Sequence, residues 1–167
     1  MAPRILFIKN VSFFVCVRNK WLVGGVLCFV FLIGVVFGLS LGETRTSGIV
    51  LCPDGFSISV LIADEHHEQV QGLSGTSVLE ENEGVLFLYK EAGYPVHWMK
   101  DMFISIDLLW LLDGEIVFMV ENAPIPSGGE IAHYRPEALA NQVLEVPAGF
   151  VQKHGLSVGD HLDVHIP

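Results

Sequence analysis

The sequence predicts an α+β domain that is mainly antiparallel β. A barrel-like sheet of about seven strands carries two short helices and is preceded by one N-terminal transmembrane helix. Three observations predict it. Residues 21 to 41, WLVGGVLCFVFLIGVVFGLSL, run for 21 positions without a charge, and a helix of roughly 20 apolar residues crosses a bilayer core. Beyond them, short segments alternate apolar and polar residues, the period-2 mark of half-buried strands. Turn signals separate these segments, Asp113-Gly114 being the strongest.

The charge of the chain changes sign across the apolar run. Arg4, Lys9, Arg18 and Lys20 precede it with no acid, whereas five basic residues and all 19 acids follow it, a net charge of −14. Lysine and arginine beside a span are retained on the cytoplasmic side. Residues 1–20 therefore read as a basic cytoplasmic tail and 21–41 as a transmembrane helix or signal sequence. Residues 42–55 read as a linker and first edge segment, and 56–167 as the folded domain. The expected location is the cell membrane, single-pass, with the C-terminal domain extracytoplasmic (periplasmic or extracellular). A cleaved, secreted form is the alternative, because Ser40 and Gly42 are small residues flanking Leu41.

A domain of charge −14 repels phosphate backbones, which argues against nucleic acid as a partner. With Cys16 in the tail and Cys28 in the span, Cys52 stands alone in the exported part, so no internal disulfide is expected. Next to the turn signal Pro53-Asp54-Gly55 it reads as a buried or edge cysteine.

The elements follow in order. Phe56, Ile58, Val60 and Ile62 alternate with serines and predict a strand. Asp64 offers an N-cap for a helix over DEHHEQVQGL that ends near Gly72 to Gly75. Val85 to Tyr89 and Tyr94 to Met99 are rich in β-formers. Ile106 to Leu112 and Glu115 to Glu121 form a hairpin about Asp113-Gly114. Asn122 to Gly129 is a loop, and Gln142 to Val146 another strand. Pro147 to His154 suits a short helix with Gly155 as its left-handed stop, and Leu162, Val164 and Ile166 mark the last strand.

The segment HWMKDMFISID, residues 97 to 107, sets Lys100 and Asp107 beside the most apolar stretch of the domain. Ile106, Leu108, Trp110 and Leu112 share one strand face, and Asp107, Leu109 and Leu111 the other. A strand apolar on both faces is covered on both, so Asp107 is expected to be buried and to need a hydrogen-bonded or charged partner. Lys100 is the nearest basic residue in sequence, and Glu145 in VLEV is a second acid in a similar setting. Two readings stay open: a buried ion pair that pins strands together, or a pocket walled by Trp98 and Met99 with Lys100, Asp107 and Glu145 as recognition groups. The histidines are poorly spaced for a metal: His66 and His67 are adjacent, while His161, Asp163 and His165 alternate as a solvated strand face does. His97 and His133 read as ordinary polar positions. No phosphate loop, nucleophile elbow or HExxH occurs, and no cofactor or metal is implied.

Several short motifs run in order: Gln71-Gly72-Leu73, Gly84-Val85-Leu86-Phe87, Trp98-Met99-Lys100, Ile106-Asp107, Tyr134, Val143-Leu144-Glu145-Val146-Pro147-Ala148-Gly149, Gly155-Leu156 and Gly159-Asp160. Together they resemble the DUF192 family (domain of unknown function 192) over about residues 56 to 164. That resemblance implies a mainly β domain with short helices and brings no established reaction. The family's WMKNT stands here as Trp98-Met99-Lys100-Asp101-Met102. It carries over Trp98, Lys100, Asp107, Tyr134 and Glu145 as candidate ligand-binding residues. The expected function is thus a membrane-anchored extracytoplasmic module binding a small molecule or a protein. The alternatives are a hydrolase-type enzyme using Asp107 and Glu145 near Lys100, or a structural accessory domain.

Overall fold

The computed structural model describes residues 46–129 and 131–167. The predicted tail, apolar segment and opening of the linker lie outside the described residues. Among the described residues no helix is long and apolar enough to cross a membrane.

Strand-forming, β-branched and aromatic segments build nine strands and two short helices. They are β1 (Ser47–Leu51), β2 (Ser57–Ala63), α1 (His66–Gln71), β3 (Glu83–Gly93), β4 (His97–Trp98), β5 (Ile106–Leu112), β6 (Glu115–Ala123), β7 (His133–Tyr134), β8 (Ala140–Pro147), α2 (Phe150–His154) and β9 (Asp163–His165). Seven form one half-barrel sheet in the order β6-β5-β8-β3-β2-β1-β9, while β4 and β7 pair separately. All pairs are antiparallel except β2 with β3, which run parallel around α1. The two ends of the sheet meet at one rim. There Glu115 bridges His161, the amide of Ile116 donates to Asp160, and that of Gly159 donates to Ile116.

The double-faced apolar pattern of Ile106 to Leu112 is buried on both sides, as its residues require. Leu109 and Leu111 join Val50, Ile58, Val60, Ile62, Leu86 and Leu144 in the cluster on the concave side. Ile106, Leu108 and Trp110 join Val85, Phe87, Met99 and Val143 on the other. Two core layers thus share one sheet, and the central strands β3, β5 and β8 contribute alternately to both.

Several elements differ from the sequence expectation. Residues 47–51 are not an edge segment, because β1 pairs with β2 on one side and β9 on the other. Gly48 permits this approach, since a Cβ there would lie 2.9 Å from the His165 carbonyl oxygen. The N-cap of α1 is Glu65 rather than Asp64: the Glu68 carboxylate accepts from the amides of both, at 3.3 and 3.2 Å. Tyr94 to Met99 contains only the two-residue β4. Trp110, fully buried, donates its Nε1–H to the Pro95 carbonyl at 2.9 Å, so the stretch before β4 is held by a ring nitrogen and not by a ladder.

The main correction concerns Asp107. It is completely buried, yet its partner is not Lys100. Three backbone amides donate to its carboxylate: Asn122 at 2.7 Å, Gly149 at 3.2 Å and Val151 at 2.9 Å. The side chain of Lys100 is 60 % exposed, with Nζ 4.0 Å from Asp101. Asp107 is an anchor that ties β5 to the end of β6 and to the first turn of α2. It also explains why α2 starts at Phe150 and not at Pro147: the chain must turn at Gly149 (φ +86°) to aim two amides at one carboxylate.

On its outer side α2 is locked by His154. The ring lies between Phe56 and Phe150, with centroids 4.3 and 4.2 Å away. Nδ1 is 2.7 Å from Asp54 and Nε2 3.1 Å from Glu81, while Lys153 sits 2.6 Å from the other oxygen of Glu81. These contacts join α2 to the turn after β1 and to the loop before β3. The His154 hydrogen bond holds the Asp54 carboxyl below its ordinary value, helped by the Phe56 amide. Lys153, and then His154, do the same for Glu81.

Two predictions arise. Asp107→Ala would strand three amide donors and should lower unfolding free energy by roughly 3–5 kcal/mol, measured by denaturant titration. An unchanged midpoint would refute the anchor. A depressed folded carboxyl pKa adds stability that is present above the unfolded value and lost as pH falls. Melting temperature should therefore hold above the ordinary values of 3.8 and 4.5 and drop below them. The pair Asp54→Asn and Glu81→Gln should flatten that drop.

Candidate functional site

A cavity of about 200 Å3 opens between α1, the loop after it, β3 and the β4 segment. Leu73, Phe87, Pro95, Val96, Trp98 and Met102 supply apolar wall, while His66, Gln69, Gln71 and Ser74 bring polar groups. Tyr89, His97 and Glu145 line it as well.

These last three form a chain. Glu145 lies in β8 opposite Val85, on the face that carries Val85 and Phe87. Only 4 % of Glu145 and 6 % of His97 is exposed. Their contact, Oε1 to Nδ1, is 3.0 Å, and the Tyr89 hydroxyl lies 3.1 Å from Nε2. Burial, with the Glu145 charge, pushes the Tyr89 phenol up to about 12, so Tyr89 keeps its proton at neutral pH. A neutral imidazole protonated at Nδ1 satisfies both contacts: Nδ1–H donates to Glu145, and the Tyr89 hydroxyl donates to Nε2. Phe87 meets the imidazole edge-on at 4.5 Å and Trp110 does so at 5.9 Å, which fixes the ring's plane.

The second oxygen of Glu145 is the unusual atom. Oε1 is engaged by His97, while Oε2 has no partner among the described residues. No fully buried side-chain polar atom is left unsatisfied there, so Oε2 reaches the cavity. Gly72 keeps the space beside it open: a Cβ at that position would lie 3.5 Å from Oε2 and 3.0 Å from Phe87 Cζ. Gly72 also holds φ +44°, a conformation that side chains resist.

Of the residues expected at the site, Trp98 and Glu145 line the cavity. Tyr134 pairs with His97 across β4 and β7 and packs half-buried against the outer core layer. Lys100 contributes its carbonyl, which accepts from the Ser74 hydroxyl at 2.9 Å and helps join the two loops of the rim. The Gly75 amide donates to Asp101 beside it. Asp107 sits on the opposite face of the sheet: its register partner is Val146, and Glu145 pairs with Leu108, one step along the pleat. The structure therefore does not bring Asp107, Glu145 and Lys100 together around a substrate.

Tyr89 is a site residue that the sequence reading left out, and His97 one that it read as an ordinary polar position. A signal was present in His97, a histidine flanked by Val96 and Trp98 next to a buried strand. Cys52 is buried, and burial together with Asp54 pushes its thiol up to about 11, which makes it inert. Among the described residues no group of three or more His, Cys, Asp or Glu is placed to hold a metal ion. The exposed His161 and Asp163 stand 3.9 Å apart. Tyr89→Phe would leave the buried Nε2 of His97 without its donor and should cost about 1–2 kcal/mol in thermal or denaturant unfolding.

Comparison with known proteins follows the same outline. Residues 49–164 match DUF192, described as an uncharacterized ACR family. A protein from Sinorhizobium meliloti 1021, provisionally assigned as a transcription regulator, has a similar structure (TM-score 0.62, 28 % identity), covering 72 % of this chain and 93 % of that one. A protein of unknown function from Novosphingobium aromaticivorans DSM 12444 also aligns (TM-score 0.62, 22 % identity), covering 70 % and 83 %. No curated protein matches the sequence. With the family matched over most of its length and the fold shared with these structures, the chain belongs to the DUF192 family.

Proposed function

We propose that this protein is a membrane-anchored binding module whose DUF192 domain, outside the cytoplasm, takes a small molecule into the cavity beside Trp98. The observation that carries this reading is the wall of that cavity. A buried carboxylate, imidazole and phenol are locked in one orientation, and one carboxylate oxygen is left facing the open space. Preorganised polar groups in a mostly apolar recess are the usual composition of a ligand site. At about 200 Å3 the recess is smaller than the roughly 300–1,000 Å3 of sites for drug-sized molecules, which points to a small ligand or a single protruding group.

The extracytoplasmic location rests on the apolar run 21–41 and the basic residues before it. Binding rather than hydrolysis is favoured because Asp107, the second carboxylate a hydrolase would need, spends its acceptors on three amides. The regulator description of the Sinorhizobium protein finds no support in an exported part of net charge −14.

Native mass spectrometry of the full chain released from membranes should reveal a bound small molecule. Trp98→Ala should weaken its retention about tenfold, in line with the loss of an aromatic wall. Recovery of the native protein with no bound species, and no ligand from a small-molecule library shifting its melting temperature, would refute the binding reading. Protease added to cells with their outer barrier opened should remove a C-terminal tag. Protection of the tag would refute the location.

A further inference from the structure

Resting on the binding reading above, we propose that the cavity selects a small organic cation, an alkylammonium group whose N–H bonds end on Glu145 Oε2. Three independent features converge on that chemistry. The first is the unshared oxygen: Glu145 is nearly buried, His97 engages only Oε1, and Oε2 reaches the cavity without a partner. A desolvated carboxylate with open acceptor capacity calls for a donor, and a charged donor forms the stronger bond.

The second is the rest of the lining. Phe87, Tyr89 and Trp98 border the same space, and ring faces attract ammonium groups. No Lys or Arg is among the residues that border it. The Tyr89 hydroxyl is committed to His97 and keeps its proton, so it does not compete for the oxygen as a phenolate. An anionic ligand would meet the Glu145 carboxylate with no Lys or Arg in the lining to offset it, which disfavours it on electrostatic grounds.

The third is Gly72. Its missing side chain leaves the approach to Oε2 clear; a methyl group there would come within 3.5 Å of the oxygen and crowd Phe87. The strongly negative charge of the exported part would concentrate cations near the opening. The apolar walls at Leu73, Pro95, Val96 and Met102 accommodate a short alkyl chain rather than a second charge.

The test uses the full chain in neutral detergent, with butylammonium and its near-isostere 1-butanol as probes, each followed by calorimetric titration. Butylammonium should bind at least tenfold more tightly than butanol. Glu145→Gln keeps an acceptor for His97 and removes the charge, so it should abolish that preference. Equal affinity of the two probes for the native protein would overturn the cation proposal while leaving a small-molecule site in place. Binding of neither probe to folded native protein would overturn the cation proposal, while the binding reading stands or falls on the library screen. The comparison on native protein decides the matter even where Glu145→Gln does not fold. Tetramethylammonium, which has no N–H, should bind more weakly than butylammonium; tighter binding would mean that the aromatic walls rather than Oε2 make the recognition, and would also overturn the proposal.

Discussion

A carboxylate with no counter-ion is the constraint around which this domain is arranged. Burying Asp107 completely is tolerable only because amides of Asn122, Gly149 and Val151 converge on it. Those amides come from the bulged end of β6 and from the turn into α2, two places with no ladder between them. Left-handed backbone at Asn122 (φ +50°) and Gly149 (φ +86°) is the local cost of pointing both amides inward. The result closes one side of the concave core, where Phe150 and Val151 from α2 join the cluster that holds Leu109 and Val146. His154 then secures the far side of the same short helix through Asp54 and Glu81.

The opposite face of the sheet carries a carboxylate of a different kind. Glu145 is one pleat step from the position opposite Asp107, so strand alternation sends the two acids to opposite layers. Asp107 meets backbone donors at both of its oxygens. Glu145 meets one imidazole, which leaves an oxygen over. Two acids that look alike in sequence thus have separate tasks: one holds the fold, and the other faces a cavity. The neighbouring aromatic rings serve both ends, since Trp110 anchors Pro95 with its Nε1 and presses its edge on His97.

Much of the sheet was legible from residue order. Strand alternation at Ile58 to Ile62, the two-faced run from Ile106 to Leu112 and the Asp113-Gly114 hairpin are local patterns, and they appear in the structure as their periods require. Gly155 ends α2 in a left-handed conformation, as its position implied. The parallel pairing of β2 with β3, the interior place of β1 and the meeting of the sheet's two ends were not legible. They depend on which distant edges find each other. At the site, Trp98 and Glu145 were recognisable, whereas the Lys100 partnership was inferred from nearness in sequence. A long, hydrated ammonium side chain gains little by burial, while three amides were available at the turn.

From sequence alone came the family, the strands and their faces, the unusual burial of Asp107 and Glu145, and the charge contrast about the apolar run. These are local or additive properties, and periodicity and charge express them without reference to distant contacts. The tertiary structure decided who partners each acid, because hydrogen-bond partners here lie 15 to 48 residues away along the chain. It also decided that a glycine, a phenol and an imidazole share one cavity. Enclosed space is created only when separate segments pack, so no single stretch of residues encodes it.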